Sequence, residues 1–193
     1  TMWLKQTVYG STEPFPVGNA PSTYILNVCR TMVACGHDVT VVGCRRSVNT
    51  SFPLNGEYDG IQYINFDATA HNKIAMYVYN LYFEVYAKHF LQKLKNTDTV
   101  VLFGTTVPVA KAVKGYCRRK KIKFVVFNCE WFAEDCFARN VSKRHIKGTL
   151  GLIPYVAKNA DAGILISSLL TNYFKEQGTH SVMIPNIVDL TDD

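Results

Sequence analysis

Three stretches of the chain combine residue types that could do chemistry. The first spans residues 9–22 (YGSTEPFPVGNAPS) and ends in Val17-Gly18-Asn19-Ala20, directly ahead of a segment with helical apolar spacing. Backbone N–H groups and the positive end of a helix dipole attract phosphate oxygens, and a glycine lets the backbone approach them closely. Gly18 and Asn19 are therefore phosphate-binding candidates, and an ordinary turn glycine is the competing reading. The second stretch is NCEWFAED, residues 128–135, where Glu130 and Trp131 follow an apolar run. A carboxylate there could bind a sugar hydroxyl or a developing positive charge, and a tryptophan beside it could stack on a ring. Competing with this, Glu130 could cap a following helix and Trp131 could be core. Cys129 has no base indicated beside it, which disfavours a nucleophilic role. The third stretch is GTTVPVA, residues 104–110, where Thr105 and Thr106 could hydrogen-bond a polar ligand. Thr106 could equally cap a helix opened by Val107-Pro108.

Several chemistries are disfavoured by the same inspection. The first loop is not the dinucleotide G-x-G-x-x-G pattern, and Cys44-Arg45-Arg46 stands after the second strand where an acidic ribose binder is needed. A nicotinamide-dependent oxidoreductase does not fit. No CxxC pair occurs among the six cysteines, and His37, His71, His89, His145 and His180 show no metal-ligand spacing. No metal site is expected. The cysteines read as reduced thiols, and the sequons at Asn49 and Asn140 carry no chemistry in a cytoplasmic chain.

The elements that must position these residues alternate between two periods. Short runs rich in β-branched residues recur at 4–10, 38–44, 61–66, 98–104, 122–128, 162–166 and 181–185. Near-continuous apolarity in most of them suits parallel strands covered on both faces. Between them, helical spacing predicts helices over 22–35, 72–94, 109–119 and 143–159, and over a segment after Ser167, which sits at an N-cap position. Gly36 and Gly178 stand where two of these helices should stop. Tyr77, Tyr79, Tyr82 and Tyr86 could form a sugar-stacking wall, but their helical spacing favours core packing. The alternation predicts an α/β class, a Rossmann-like doubly wound parallel sheet with ligands beyond the strand C-termini. That rule places residues 104–106 and 129–131 at one edge.

Hydrophobic residues make up 48% of the 193 and aromatics 12%, enough for an ordered globule with one well-buried core. The net charge of +6 favours acidic partners, and it concentrates in residues 118–123 (RRKKIK) and 139–147 (RNVSKRHIK). Neither run carries the interleaved aromatics or finger spacing of a nucleic-acid reader, so nucleic acid is not an expected partner. Solvated helix ends are the first reading of both, and contact with a membrane surface is the second. No secretory leader or ~20-residue apolar span is evident, and a cytoplasmic chain is expected, with peripheral contact at the inner face of a membrane.

Three segments in order raise the case above a generic α/β domain: VGNAPSTYILNVCRTMVACGHDVTVV, VVFNCEW, and ADAGILISSLLTNYFKEQGTHSVMIPNIVD. Together they resemble the N-terminal domain of glycosyltransferase family 4 and its bacterial relatives, a GT-B fold. The motif Pro185-Asn186-Ile187-Val188-Asp189 resembles the crossing from that family's first domain to its second. Many relatives carry Gly where Ile187 stands, and His where this chain reads Asn128-Cys129-Glu130.

The resemblance implies that residues 1–184 form the acceptor-side Rossmann-like domain, that 185–193 open the interdomain linker, and that a donor-binding second domain lies outside these residues. It implies a hexosyltransferase that moves a sugar from a nucleotide-sugar co-substrate to a glycan or lipid-linked acceptor, with retention and no cofactor or metal. Bacterial surface polysaccharide synthesis is the implied setting, and the 193 residues alone are expected to be inactive. Gly18 and Asn19 would then bind the donor phosphate, Thr105, Thr106 and Trp131 the acceptor, and Glu130 would be catalytic. The alternative is a non-catalytic interaction or glycan-binding module, such as one subunit of a split glycosyltransferase.

Overall fold

The computed structural model describes residues 2–3, 20–45, 53–67, 91–92, 97–137 and 143–185. These fall into two compact units, one carrying the described residues up to Asp67 and the other those from Leu91 to Pro185. The expected helix over 72–94 lies outside the described residues except at Leu91 and Gln92, which are helical. Gly18 and Asn19 lie outside them as well.

In the first unit, β1 (Met2–Trp3), α1 (Ala20–Ala34), β2 (Thr40–Arg45), β3 (Asn55–Tyr58) and β4 (Ile61–Asp67) follow in order. Strand β2 pairs in parallel with β1 (Met2 opposite Val41) and with β4 (Val41 opposite Tyr63). Helix α1 buries Ile25, Leu26, Val28 and Cys29, whose spacing places them on one face, while Val41, Val42, Ile61 and Tyr63 supply the sheet side of the core. Strand β3 is absent from the sequence reading. It pairs antiparallel with β4 across Asp59-Gly60, both at positive φ. Three of its four residues, Asn55, Gly56 and Glu57, are poor strand formers, and the Asp-Gly turn was the available signal. Strand β4 alternates buried Ile61 and Tyr63 with exposed Gln62, the pattern of a strand wetted on one face. Arg30 of α1 ties down this hairpin: its guanidinium meets the Asp59 carboxylate at 2.8 Å and reaches the Asn27 side-chain oxygen at 3.3 Å.

The second unit runs β5 (Thr99–Phe103), α2 (Val107–Lys120), β6 (Lys123–Asn128), a 3-10 turn (Glu134–Cys136), α3 (Lys143–Leu150), α4 (Leu152–Asn159), β7 (Ala162–Leu165), α5 (Ser168–Glu176) and β8 (His180–Met183). Its four strands are all parallel in the order β5-β6-β7-β8, each joined to the next by helix. This is the covered parallel sheet that the apolar runs imply. Val100, Val101 and Leu102 of β5 and Phe124, Val126 and Phe127 of β6 are buried, with Phe103 edge-on to Phe127 at 5.1 Å. Helix α2 buries Val109, Ala112, Val113 and Tyr116, spaced three and four apart.

One long helix over 143–159 becomes two. Pro154 lacks the N–H that would bond the Leu150 carbonyl, and its ring would clash with that group, so the ladder breaks at Gly151. The stops fall as the glycines indicated, with Gly36 and Gly178 both at positive φ, where a side chain would be strained. Ser167 caps α5 by accepting from the Leu170 amide at 3.4 Å.

Candidate functional site at the C-terminal edge of the second unit's sheet

Strands β5, β6 and β7 end in register, with Phe103 opposite Phe127 and Asn128 opposite Leu165. Whatever follows each strand therefore emerges at one edge. These segments are Gly104-Thr105-Thr106, Cys129-Glu130-Trp131 and Ile166-Ser167. Sequence reasoning placed the first two together, and strand pairing supports that placement.

Thr105 is only 8% exposed, and no described residue hydrogen-bonds its hydroxyl. Thr106 occupies the N-cap position of α2 in extended backbone, but its side chain makes no capping bond. Its methyl side instead lies against α3, where a Cβ on Gly148 would sit 3.3 Å from the Thr106 Cβ. The first turn of α2 thus keeps free N–H groups, reduced by Pro108, and contains no acidic residue.

Asn128 closes β6 and is buried at 5% exposure, its side-chain amide donating to the Glu130 carbonyl. That bond folds the chain back as it leaves the strand and fixes the start of the loop. Glu130 is exposed, and the next helical turn begins after Ala133, so Glu130 caps no helix. Trp131 is not core: it is 41% exposed and leans on Tyr173 of α5, with ring centroids 4.7 Å apart at 54°. Phe132, 39% exposed, pairs similarly with Phe137 at 5.9 Å. The loop after β6 therefore presents two aromatic pairs rather than burying them. Neither Asn128 nor Tyr173 was singled out from the sequence. A polar residue ending an apolar strand was a usable signal for Asn128, whereas nothing local marks Tyr173.

Burial, and secondarily the neighbouring Glu130 carboxylate, push the Cys129 thiol up to about 12. It is a thiol at neutral pH, poorly suited to attack. Among the described residues no group of three His, Cys, Asp or Glu could hold a metal ion, and no helix is long and apolar enough to cross a membrane.

The basic run of residues 118–121 lies at the far end of the same unit, where Arg118, Arg119 and Lys120 close α2 and Lys121 caps it at φ 57. Cations there complement the helix dipole, the reading of that run as a solvated helix end.

The arrangement is that of a Rossmann-like α/β protein with its candidate ligand groups beyond the strand C-termini, where such sheets bind ligands. No family model and no curated protein sequence matches the chain. Among solved structures it is similar to the sucrose-phosphate synthase of Thermosynechococcus elongatus, with 14% identity, 95% of this chain and 47% of that one covered, and a TM-score of 0.60. It is also similar to trehalose-6-phosphate synthase from E. coli bound with UDP-2-fluoro glucose, with 11% identity, coverage of 98% and 49%, and a TM-score of 0.51. Both are GT-B glycosyltransferases, and at these identities the likeness is one of fold. The chain spans about half the length of each structure.

Proposed function

We propose that these residues are the acceptor-side half of a nucleotide-sugar glycosyltransferase. The observation that carries this is the GT-B likeness over nearly the whole chain but only half of each neighbour, combined with a polar and aromatic cluster at the ligand edge. In this reading the acceptor hydroxyl attacks the anomeric carbon, the bond from that carbon to the diphosphate oxygen breaks, and the acceptor proton passes to the departing diphosphate. Thr105, Thr106 and Trp131 hold the acceptor against that carbon, which lowers the barrier through orientation. Glu130 is the catalytic carboxylate and faces the developing positive charge. Gly18 and Asn19 would offer N–H groups to the donor diphosphate, and a second domain joined through residues 185–193 would hold the rest of the donor.

The proposal extends to hexosyl transfer onto a glycan or lipid-linked acceptor in bacterial surface polysaccharide synthesis, on the cytoplasmic side of a membrane. Exposed cations at the end of α2 would supply the peripheral contact. Calorimetric titration of the 193-residue chain with nucleoside diphosphates and nucleotide sugars tests the acceptor-side assignment. Weak or absent binding is expected. A Kd near ~1 μM, about −8 kcal/mol, would mean that these residues hold the nucleotide unaided and would overturn the assignment.

A further inference from the structure

Resting on the acceptor-side reading above, we propose that Tyr173 is a positioning residue that sets the Trp131 indole as a platform for one uncharged pyranose ring of the acceptor. Trp131 lies on a loop, where an exposed indole would ordinarily sample several rotamers. Here its ring meets Tyr173 at 4.7 Å, and Tyr173 belongs to a helix anchored by fully buried Phe174, by Leu170 and by the Ser167 cap. Fixing the indole before the ligand arrives lowers the ordering cost of binding.

The surroundings of the platform select the ligand. Residues 128–137 include Glu130, Glu134 and Asp135 and no lysine or arginine. Within this loop a phosphorylated sugar, a uronate or an anionic lipid headgroup meets only like charge. Asn128, which ends β6, and Thr105, which follows β5, are neutral and buried at the same sheet edge. An aromatic face, a carboxylate, an amide and a hydroxyl match the two sides of a sugar ring, its apolar C–H face and its hydroxyl rim. The basic run at the end of α2 lies at the opposite end of the sheet, so any anionic surface that it meets is separate from this platform.

The chain contains two tryptophans, Trp3 and Trp131, so Trp3→Phe leaves Trp131 as a single fluorescent reporter. In that background the probes are methyl β-glucopyranoside, maltose and glucose 6-phosphate at millimolar concentrations. Saturable changes with the neutral pyranosides and a several-fold weaker response to glucose 6-phosphate are expected. Tyr173→Ala should weaken pyranoside binding about 3- to 10-fold and shift Trp131 emission to the red, whereas Tyr173→Phe, which keeps the ring, should behave as the parent. No response to any pyranoside, a tighter response to the phosphorylated sugar, or unchanged binding in Tyr173→Ala would overturn the proposal. So would a dimer in solution that Trp131→Ala dissolves, because the platform would then belong to a second copy of the chain. The two readings separate cleanly: pyranoside binding by this chain with no nucleotide-sugar transfer by the full gene product that contains it would refute the enzyme and spare the platform. Transfer whose acceptor KM ignores Tyr173→Ala would do the reverse.

Discussion

Asp161 holds Phe124 twice: its amide donates to the Phe124 carbonyl at 2.8 Å, and its carboxylate accepts from the Phe124 amide at 2.7 Å. The acid thereby pairs the otherwise unmatched first amide of the buried stretch of β6, just before β7 begins alongside it. Lys114 of α2 stands 3.7 Å from the same carboxylate. The strand that delivers Asn128, Glu130 and Trp131 to the sheet edge is thus pinned at its other end.

Asp161→Ala leaves the Phe124 amide unpaired and should cost about 1–3 kcal/mol. Asp161→Asn keeps an acceptor and should cost about half as much or less. Urea denaturation of the two variants checks the order, and equal losses would show that the acceptor oxygen is not what matters.

Gly163 lies where β7 and α5 nearly touch, and a Cβ there would sit 2.9 Å from the Phe174 ring. Phe174 is fully buried and cannot swing aside. Gly163→Ala should therefore lose about 1–3 kcal/mol through overpacking, and Phe174→Ala about 3–5 kcal/mol through the cavity it leaves. The double variant should lose less than the sum of the two, because removing the ring removes the clash.

Thiol titration should divide the cysteines by environment. Cys35 and Cys136 are exposed and should alkylate first at neutral pH. Burial pushes Cys29 and Cys129 up to about 12 and Cys117 to about 11, so all three should react slowly in the native protein. These folded values lie above the ordinary 9.0, so the unfolded chain ionises first. Stability should be at its plateau below about pH 9 and fall as pH rises toward 11 to 12. A midpoint denaturant concentration that is flat from pH 8 to about 10.5 would contradict this assignment.

Ser167→Ala removes the one side-chain cap of α5. Since the bond measures 3.4 Å, the loss should fall near the low end of the usual 0.5–2 kcal/mol. Ser167→Asp should restore most of it, read from thermal midpoints.

The central strands were legible because burial on both faces leaves little room for polar residues. TVVLF and KFVVFN could hardly be anything else. Strand β3 was not, since NGEY gains its strand conformation by pairing with β4 and not from its own propensity. The break between α3 and α4 was written in Pro154, which the apolar period of the flanking residues obscured. Strand order brought Thr105 and Glu130 to one edge, as the α/β pattern implies. The exposure of Trp131 was illegible for a physical reason. An indole is suited to a core and to a surface platform alike, and its environment is set by Tyr173, which only the tertiary fold brings near.

The most direct test of the acceptor-side account is the steady-state kinetics of sugar transfer by the full gene product that contains these residues, comparing the parent with Trp131→Ala and Glu130→Gln. The account predicts that Trp131→Ala raises the acceptor KM about tenfold with the nucleotide-sugar KM unchanged, and that Glu130→Gln lowers kcat by about 100-fold or more. Parent-like constants in both variants, or a loss confined to the nucleotide-sugar KM, would contradict it.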